Sequence, residues 1–366
     1  MPRVALNQEM LEAAVAGGSF YGGGGGGSAA TGREMGQLAI AMGDPWLVDA
    51  QSFPDDALLL TVSAVGAPAA QGRHAKAYHY LKAVDLFTKH TGKAIAGFIT
   101  NECGGLATVN GWVQAAAFGL PVVDAPCNGR AHPTGAMGSM GLHKVPGYMS
   151  MQVAVGGNPE TGTYVESFVH GSIERAANLV RQAAVQAGGL VAVARNPVDA
   201  AYARKNAAVG AVARCIEVGR AMLQKQGGRG MEIVEAAAGA SGGRVVCRGK
   251  VVSKTLETAG GFDAGEVLVD GGDGVYQLTF WNEYMTLEKD GHRLATFPDL
   301  MATMDAGTGV ALSSAEVQTS QEITVVVVPK AGLILGAGVK DKALYGSIER
   351  VVGKEVISYA FPEEAE

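Results

Sequence analysis

The sequence predicts an α/β N-terminal domain with a mainly parallel sheet, followed by a C-terminal α+β domain with a β-rich unit. Three observations predict it. Apolar runs of strand length, "ALLLTVSAVGAP" (57–68), "AIAGFIT" (94–100) and "LPVVDAP" (120–126), alternate with helical stretches, the pattern of strands buried on both faces. Beyond Gly239–Gly243 the runs become short and alternating and are broken by "GG", "GGDG" and "KDG", the turn chemistry of antiparallel hairpins. Finally, 366 residues with 48% apolar and 17% charged side chains exceed one ordinary core and can fill two. The expected division is 1–168, carrying a glycine-rich loop and a strand-end site, and 169–366, helical plus β-rich.

In chain order, "LNQEMLEAAVAGG" reads as an amphipathic helix stopped by Gly17-Gly18, since glycine commonly follows a helix end. Six glycines follow at 22–27, and "TGREMGQLAIAMG" is helical again. The three apolar strands are then separated by helices over 72–92 and 104–119, and "YMSMQVAVGG" (148–157) and "GLVAVARNP" (189–197) extend the same sheet. Long helices are expected over 171–189 and 197–228. The hairpins follow, and "EITVVVVP" (322–329) is a last, fully apolar strand. No internal repeat of 20–50 residues interrupts this order.

Composition excludes several classes of function. Lys plus Arg number 29 against 35 Asp plus Glu, a net charge of −6, with no basic stripe of the kind nucleic acid requires. No uncharged apolar run approaches the ~20 residues of a membrane-spanning helix, and "MPRVALNQEM" lacks a signal-peptide core. A cytoplasmic protein acting on a small molecule, with no nucleic acid or membrane partner and assembling as a homo-oligomer, is the expectation. The four cysteines are widely spaced and form no Cys-x-x-Cys pair, so free thiols are expected rather than disulfides or a zinc finger.

In a parallel α/β sheet, ligands bind beyond the carboxyl ends of the strands. That rule selects "SAVGAP", "NECGG" and "DAPCNGRAHPTGAMGSMGLH". The last places Asp124, Cys127, Asn128, Arg130 and His132 within nine residues. A thiolate at Cys127 would need nearby positive charge, available from Arg130 and His132, with Asp124 orienting the imidazole; the alternative is a small buried hydrophobe. Cys103 stands at a strand-to-helix junction where a helix dipole favours a thiolate, and Glu102 beside it is either a general base or a helix-start carboxylate. The same groups offer a metal reading, in which Cys127 and His132 with Asp124, Glu102 or His170 hold a divalent ion such as zinc. Asn282 and Glu283 in "FWNEYM" either line a cleft against the first domain or end a strand. The glycine run fits neither a dinucleotide fingerprint nor a P-loop, because it follows a helix and lacks the lysine or the acid. Gly24, Gly25, Gly26 and Gly27 instead offer consecutive amides that a polar ring can approach.

In this order, "GGSFYGGGGGG", "ECGGLATV", "GLPVVDAPCNGRAHP", "HGSIERA", "VVCRGKVV", "GGFDAGEVLV", "FWNEYM" and "FPDLM" resemble the S-methyl thiohydantoin desulfurase family over nearly the full chain. The resemblance implies an α/β domain followed by a β-containing one, and hydrolytic C–S cleavage in which water replaces a thiol on a five-membered ring to give a hydantoin. For that chemistry Glu102, Asp124, Cys127 and His132 would share the catalytic tasks, with Cys103 the further candidate from its strand-to-helix position. The glycine loop, Arg130, Asn128, Asn282 and Glu283 would hold the ring.

Overall fold

The computed structural model describes residues 3–67 and 69–362, so Met1, Pro2, Pro68 and the last four residues lie outside it. Two eight-stranded sheets organise the chain. The first contains β1 (Val4–Ala5), β2 (Trp46–Val48), β3 (Leu58–Gly66), β4 (Gly97–Thr100), β5 (Val122–Val123), β6 (Ser150–Gly156), β7 (Val165–Gly171) and β8 (Leu190–Asp199), in the order β1-β2-β5-β4-β3-β8-β6-β7. The run β2-β5-β4-β3 is parallel, with Leu60 opposite Phe98 and Leu47 opposite Val122. β8, β6 and β7 extend it antiparallel. A boundary at 168 falls inside β7, and β8 returns to lie between β3 and β6.

Strand alternation divides the core of this sheet. Leu60, Val62, Phe98 and Val122 face one way, into a cluster with Leu11, Met35, Tyr80, Phe87 and Trp112. These come from α1 (Gln8–Tyr21), α2 (Ala29–Met42), α3 (Ala77–Thr91) and α4 (Trp112–Phe118). Leu59, Ile99 and Val123, one residue out of phase, face the other layer with Ile173 and Ala203. That layer carries α5 (Ile173–Gln186) and α6 (Ala200–Asn206). Side chains of a strand alternate between faces, so the continuous apolar runs feed both layers at once.

Several expected helix limits differ, and over 104–119 only α4 and a 3-10 turn at Ala107–Val109 are helical. Helix α1 does not stop at Gly17-Gly18 but continues to Tyr21, with Gly22 as its cap. The two glycines are there for closeness: a Cβ at Gly17 would lie 1.9 Å from the Cys215 carbonyl oxygen, and one at Gly18 would lie 2.4 Å from that of Gly104. The helix expected over 197–228 is broken into α6 and α7 (Ala211–Leu223), with Gly210 at φ 86 opening the second. Its first residues, 197–199, instead complete β8. Helix α7 lies along α1, and α8 (Gly230–Ser241) then leads into the second sheet.

That sheet is antiparallel throughout: β9 (Arg244–Ala259), β10 (Phe262–Asp270), β11 (Val275–Trp281), β12 (Glu283–Lys289), β13 (His292–Thr296), β14 (Leu300–Asp305), β15 (Ala311–Leu312) and β16 (Glu322–Val328), in the order β13-β12-β11-β10-β9-β16-β14-β15. Leu300 and Met304 of β14 and Val326 of β16 pack with Phe20 of α1 and Val218 of α7. Helices α1 and α7 are therefore a common wall for both sheets. No described helix is long and apolar enough to cross a membrane.

Candidate active site

Between the two sheets lies a polar cavity of about 230 Å³. The first half supplies Gly26, Gly27, Asn101, Glu102, His132, Arg181 and Arg195 to its wall, and the second supplies Asn282 and Glu283. Asn101 and Glu102 directly follow β4, which places them at the carboxyl end of the parallel strands.

Asn101 is the hub. Arg195, 3% exposed on β8, donates through a guanidinium nitrogen to Asn101 Oδ1 at 2.7 Å. This fixes the amide, so Nδ2 donates to His132 Nε2 at 3.1 Å and toward Glu102 Oε2 at 3.4 Å. His132 Nε2 is then an acceptor and the neutral ring carries its proton on Nδ1. Burial, with Arg195 nearby, pushes the imidazole pKa down to about 3, so the ring stays neutral. Gly138 makes this packing possible, since a Cβ there would stand 2.5 Å from His132 Cε1 and 2.7 Å from Asn101 Oδ1.

Glu102 accepts from the His132 backbone amide at 3.2 Å, and its Oε2 lies 3.3 Å from His132 Nε2. Burial pushes its carboxyl up to about 7, against the opposing pull of that amide and of Arg195 and Arg130. A protonated Glu102 can direct its O–H to the Nε2 lone pair in place of the Asn101 amide; an ionised one is held by the two N–H donors. The group is thus poised to exchange a proton near neutrality. Glu283, 2% exposed, is raised well above the usual carboxylate range, first by burial and then by Glu102, and its Oε2 has no hydrogen-bond partner. Two carboxyls in one cleft disfavour joint ionisation, which raises Glu283 further.

The remaining expected site residues are arranged differently. Cys127, 0% exposed, does not line the cavity; its Sγ lies 3.5 Å from Thr61 Oγ1, and burial pushes the thiol up to about 11. Cys103 directs its thiol to the Ala211 carbonyl at 3.6 Å and is also raised well above its ordinary value, with Cys215 beside it. All four cysteines are free and buried. Asp124 accepts from the amides of Val212 and Ala213 at 2.8 and 3.1 Å, holding the start of α7. Asn128 bridges the Arg130 carbonyl and the Gly336 amide. Arg130 is fully buried, lies over the Phe297 ring at 4.6 Å and donates to the carbonyls of Ala131, Pro298 and Asp299. Asn282, in the left-handed region at φ 58, accepts the Asp263 amide through Oδ1 and still borders the cavity.

The glycine run is a joint as much as a wall. Only Gly26 and Gly27 line the cavity. The Gly23 and Gly24 carbonyls accept the amides of Tyr284 and Ser314, and the Gly26 carbonyl accepts those of Leu106 and Ala107. A Cβ at Gly25 would meet Glu283 Oε1 at 2.0 Å. Among the described residues no three His, Cys, Asp or Glu side chains gather as a metal-ligand set. Of the group considered for zinc, only Glu102 and His132 are in contact, and His170 is exposed on β7; these residues do not fit a three- or four-ligand centre.

Asn101, Arg181 and Arg195 were not selected from the sequence. Arg195 carried a signal, a charged residue inside the apolar run "VAVARNP", because charge buried in a strand needs a partner.

An α/β part and an antiparallel β-rich part with a buried carboxyl and imidazole in the cleft between them define a two-domain protein. Two family models cover most of the chain: residues 9–161 match "S-Me-THD-like, N-terminal domain" and 171–335 match "S-Me-THD-like, C-terminal domain", so the chain belongs to the S-Me-THD-like family. A crystal structure of a protein from Chromobacterium violaceum, a structural-genomics target, is similar with a TM-score of 0.72 at 20% identity, over 96% of this chain and 97% of that one. The two share a fold. No curated protein matches.

Proposed function

We propose that the protein is a hydrolase of a small five-membered cyclic amide or amidine, cleaving a C–S bond so that an S-methyl thiohydantoin and water give a hydantoin and methanethiol. The observation that carries this reading is Glu102: a carboxyl with its pKa raised to about 7 inside a small polar cavity, bonded to His132 and Asn101 and facing a second carboxyl, Glu283, that burial and Glu102 also raise. Membership of the S-Me-THD-like family supports the substrate class.

In this reading, ionised Glu102 takes a proton as water attacks the ring carbon that bears sulfur. Electron density moves onto the ring nitrogen, which accepts a hydrogen bond from the Glu283 carboxyl. Collapse of the tetrahedral adduct breaks the C–S bond, and methanethiolate leaves with the proton returned by Glu102. The adduct's remaining hydroxyl proton passes to the ring nitrogen, which leaves the carbon as a carbonyl beside a ring N–H. Asn101, held by Arg195, keeps Glu102 and neutral His132 in register. Attack falls to water rather than to Cys127, whose thiol is outside the cavity wall and held protonated by burial.

The test is incubation of the full chain with an S-methyl thiohydantoin, following free thiol and hydantoin. Loss of general acid–base help typically costs 10²–10⁴-fold, so Glu102→Gln should lower turnover by about that factor. Cys127→Ala should stay within a few fold of the parent protein. Unchanged turnover in Glu102→Gln, or loss confined to Cys127→Ala, refutes the assignment.

A further inference from the structure

Resting on the ring-hydrolase reading above, we propose that the saturated carbon of the ring carries an aromatic arm, and that this arm lies in a second cavity against Trp281 and Phe262. The second cavity, of about 350 Å³, adjoins the first: Val65, Thr134, Gly135, Arg181 and Arg195 line both. Gly135 stands at the junction. A Cβ there would lie 2.8 Å from that of Ala177 and 3.5 Å from an Arg195 guanidinium nitrogen, so any side chain would crowd the space where the cavities meet.

The turn between β11 and β12 serves both spaces. Asn282 and Glu283 border the first cavity, and Trp281 borders the second. Trp281 is the register partner of Glu283, and directly opposed residues hold their Cβ atoms ~5 Å apart. In the proposed reaction the Glu283 carboxyl donates to a ring nitrogen beside the reacting carbon. Of the two nitrogens flanking that carbon, one is bonded to the saturated carbon. With Glu283 on this nitrogen, an arm on the saturated carbon leaves the ring beside Trp281. The walls select the chemistry of the arm. Trp281 is buried, and its ring centroid lies 4.7 Å from that of Phe262. Arg181 lies over the Phe262 ring at 3.7 Å and donates to the Gly261 carbonyl at 2.6 Å, so its charge is already taken up. Aromatic rings in offset or edge contact attract beyond the area they bury. At about 350 Å³ against about 230 Å³ for the first cavity, the second has room for a benzyl-sized arm while the first holds the ring.

The experiment is calorimetric titration of the full chain with 5-benzylhydantoin and with 5-methylhydantoin. It is repeated on Ala343→Trp and on Asn178→Trp, two exposed positions that line the second cavity and not the first, with circular dichroism to check that each variant is folded. The benzyl ligand should bind the parent protein at least tenfold more tightly than the methyl one. Each variant should weaken the benzyl ligand at least tenfold and leave the methyl ligand within twofold. Equal affinity of the two ligands in the parent protein overturns the arm while leaving the ring reading standing. A benzyl preference kept in both variants overturns its place in the second cavity. If neither ring binds, the ring reading fails and this proposal falls with it.

Discussion

Glu102 carries its raised pKa as a stability debt, and the sign can be worked out. Its carboxyl titrates near 7 in the folded protein and near the ordinary 4.5 when unfolded. Below 4.5 both states are protonated and the group is neutral to stability. Between 4.5 and 7 the unfolded chain ionises first, so this contribution falls as pH rises and levels off above 7. At 1.36 kcal/mol per pKa unit the loss is about 3 kcal/mol. Because Asp124 also rises, to about 6, the parent protein alone mixes several groups. The difference between parent and Glu102→Gln isolates one: the variant should gain relative stability in urea melts between pH 5 and 8, and a constant difference would place the carboxyl's titration elsewhere. The same group sets the rate. If ionised Glu102 is the base, the activity should rise with pH through about 7, and a limb near 11 would point to the Cys127 thiol instead. Sequence reading reached Glu102 and His132 through the strand-end rule, and Gly26, Gly27, Asn282 and Glu283 through local composition. It could not separate the members of "DAPCNGRAHP", because an irregular loop sends neighbours to different places. His132 turns into the cavity, Asp124 onto the start of α7, and Cys127 into the core beside Thr61. Only the fold of that loop distinguishes a reactive thiol from a packed one.

At the scale of elements, the helices are placed by what they lack. Helices α1 and α7 approach so closely that a Cβ at Gly219 would stand 1.9 Å from the Ala13 carbonyl oxygen, mirroring Gly17 against Cys215. Both obstacles are backbone, so no rotamer change relieves them. Overpacking typically costs 1–3 kcal/mol, and Gly219→Ala should fall at or above the top of that range, read as a lowered urea midpoint with an unchanged slope. A loss under about 0.5 kcal/mol would mean that α1 and α7 slide apart freely. This crossing also explains why the helix limits were misread. Gly17-Gly18 has the composition of a helix end, and local sequence does not reveal that a second helix, some two hundred residues later, requires Gly17 to be small, or that the Gly104 carbonyl requires the same of Gly18. The apolar strands were legible because burial on both faces leaves a continuous signature; β7 was not, since Val165–Gly171 is an edge strand whose residues alternate with exposed ones.

For the whole molecule, the cavity and the joint between the halves are one construction. Glu283 reaches Glu102 only because β12 is held against the glycine run by the Tyr284 amide on the Gly23 carbonyl and the Ser314 amide on that of Gly24. Arg130 fastens the other side, fully buried, with donors on Pro298 and Asp299 and its plane over Phe297. The first sheet, in turn, is incomplete without chain beyond residue 168, because β8 separates β3 from β6 and pairs with both. A fragment ending at 168 leaves two central strands with unpaired backbone and cuts β7 in half, so it should give no cooperative melt, while the full chain unfolds in a single calorimetric transition. Arg130→Met tests the coupling directly. It keeps much of the apolar stem but strands the carbonyls of Ala131, Pro298 and Asp299, each worth about 1–3 kcal/mol when buried without a donor. The expected result is a loss of at least about 3 kcal/mol, together with a stronger pH dependence at Glu102, whose carboxyl rises further once the Arg130 charge that lowers it is gone. Two resolved transitions in the parent protein, or an Arg130→Met variant as stable as the parent, would mean that the halves fold independently and that the cleft is assembled by substrate rather than by the chain.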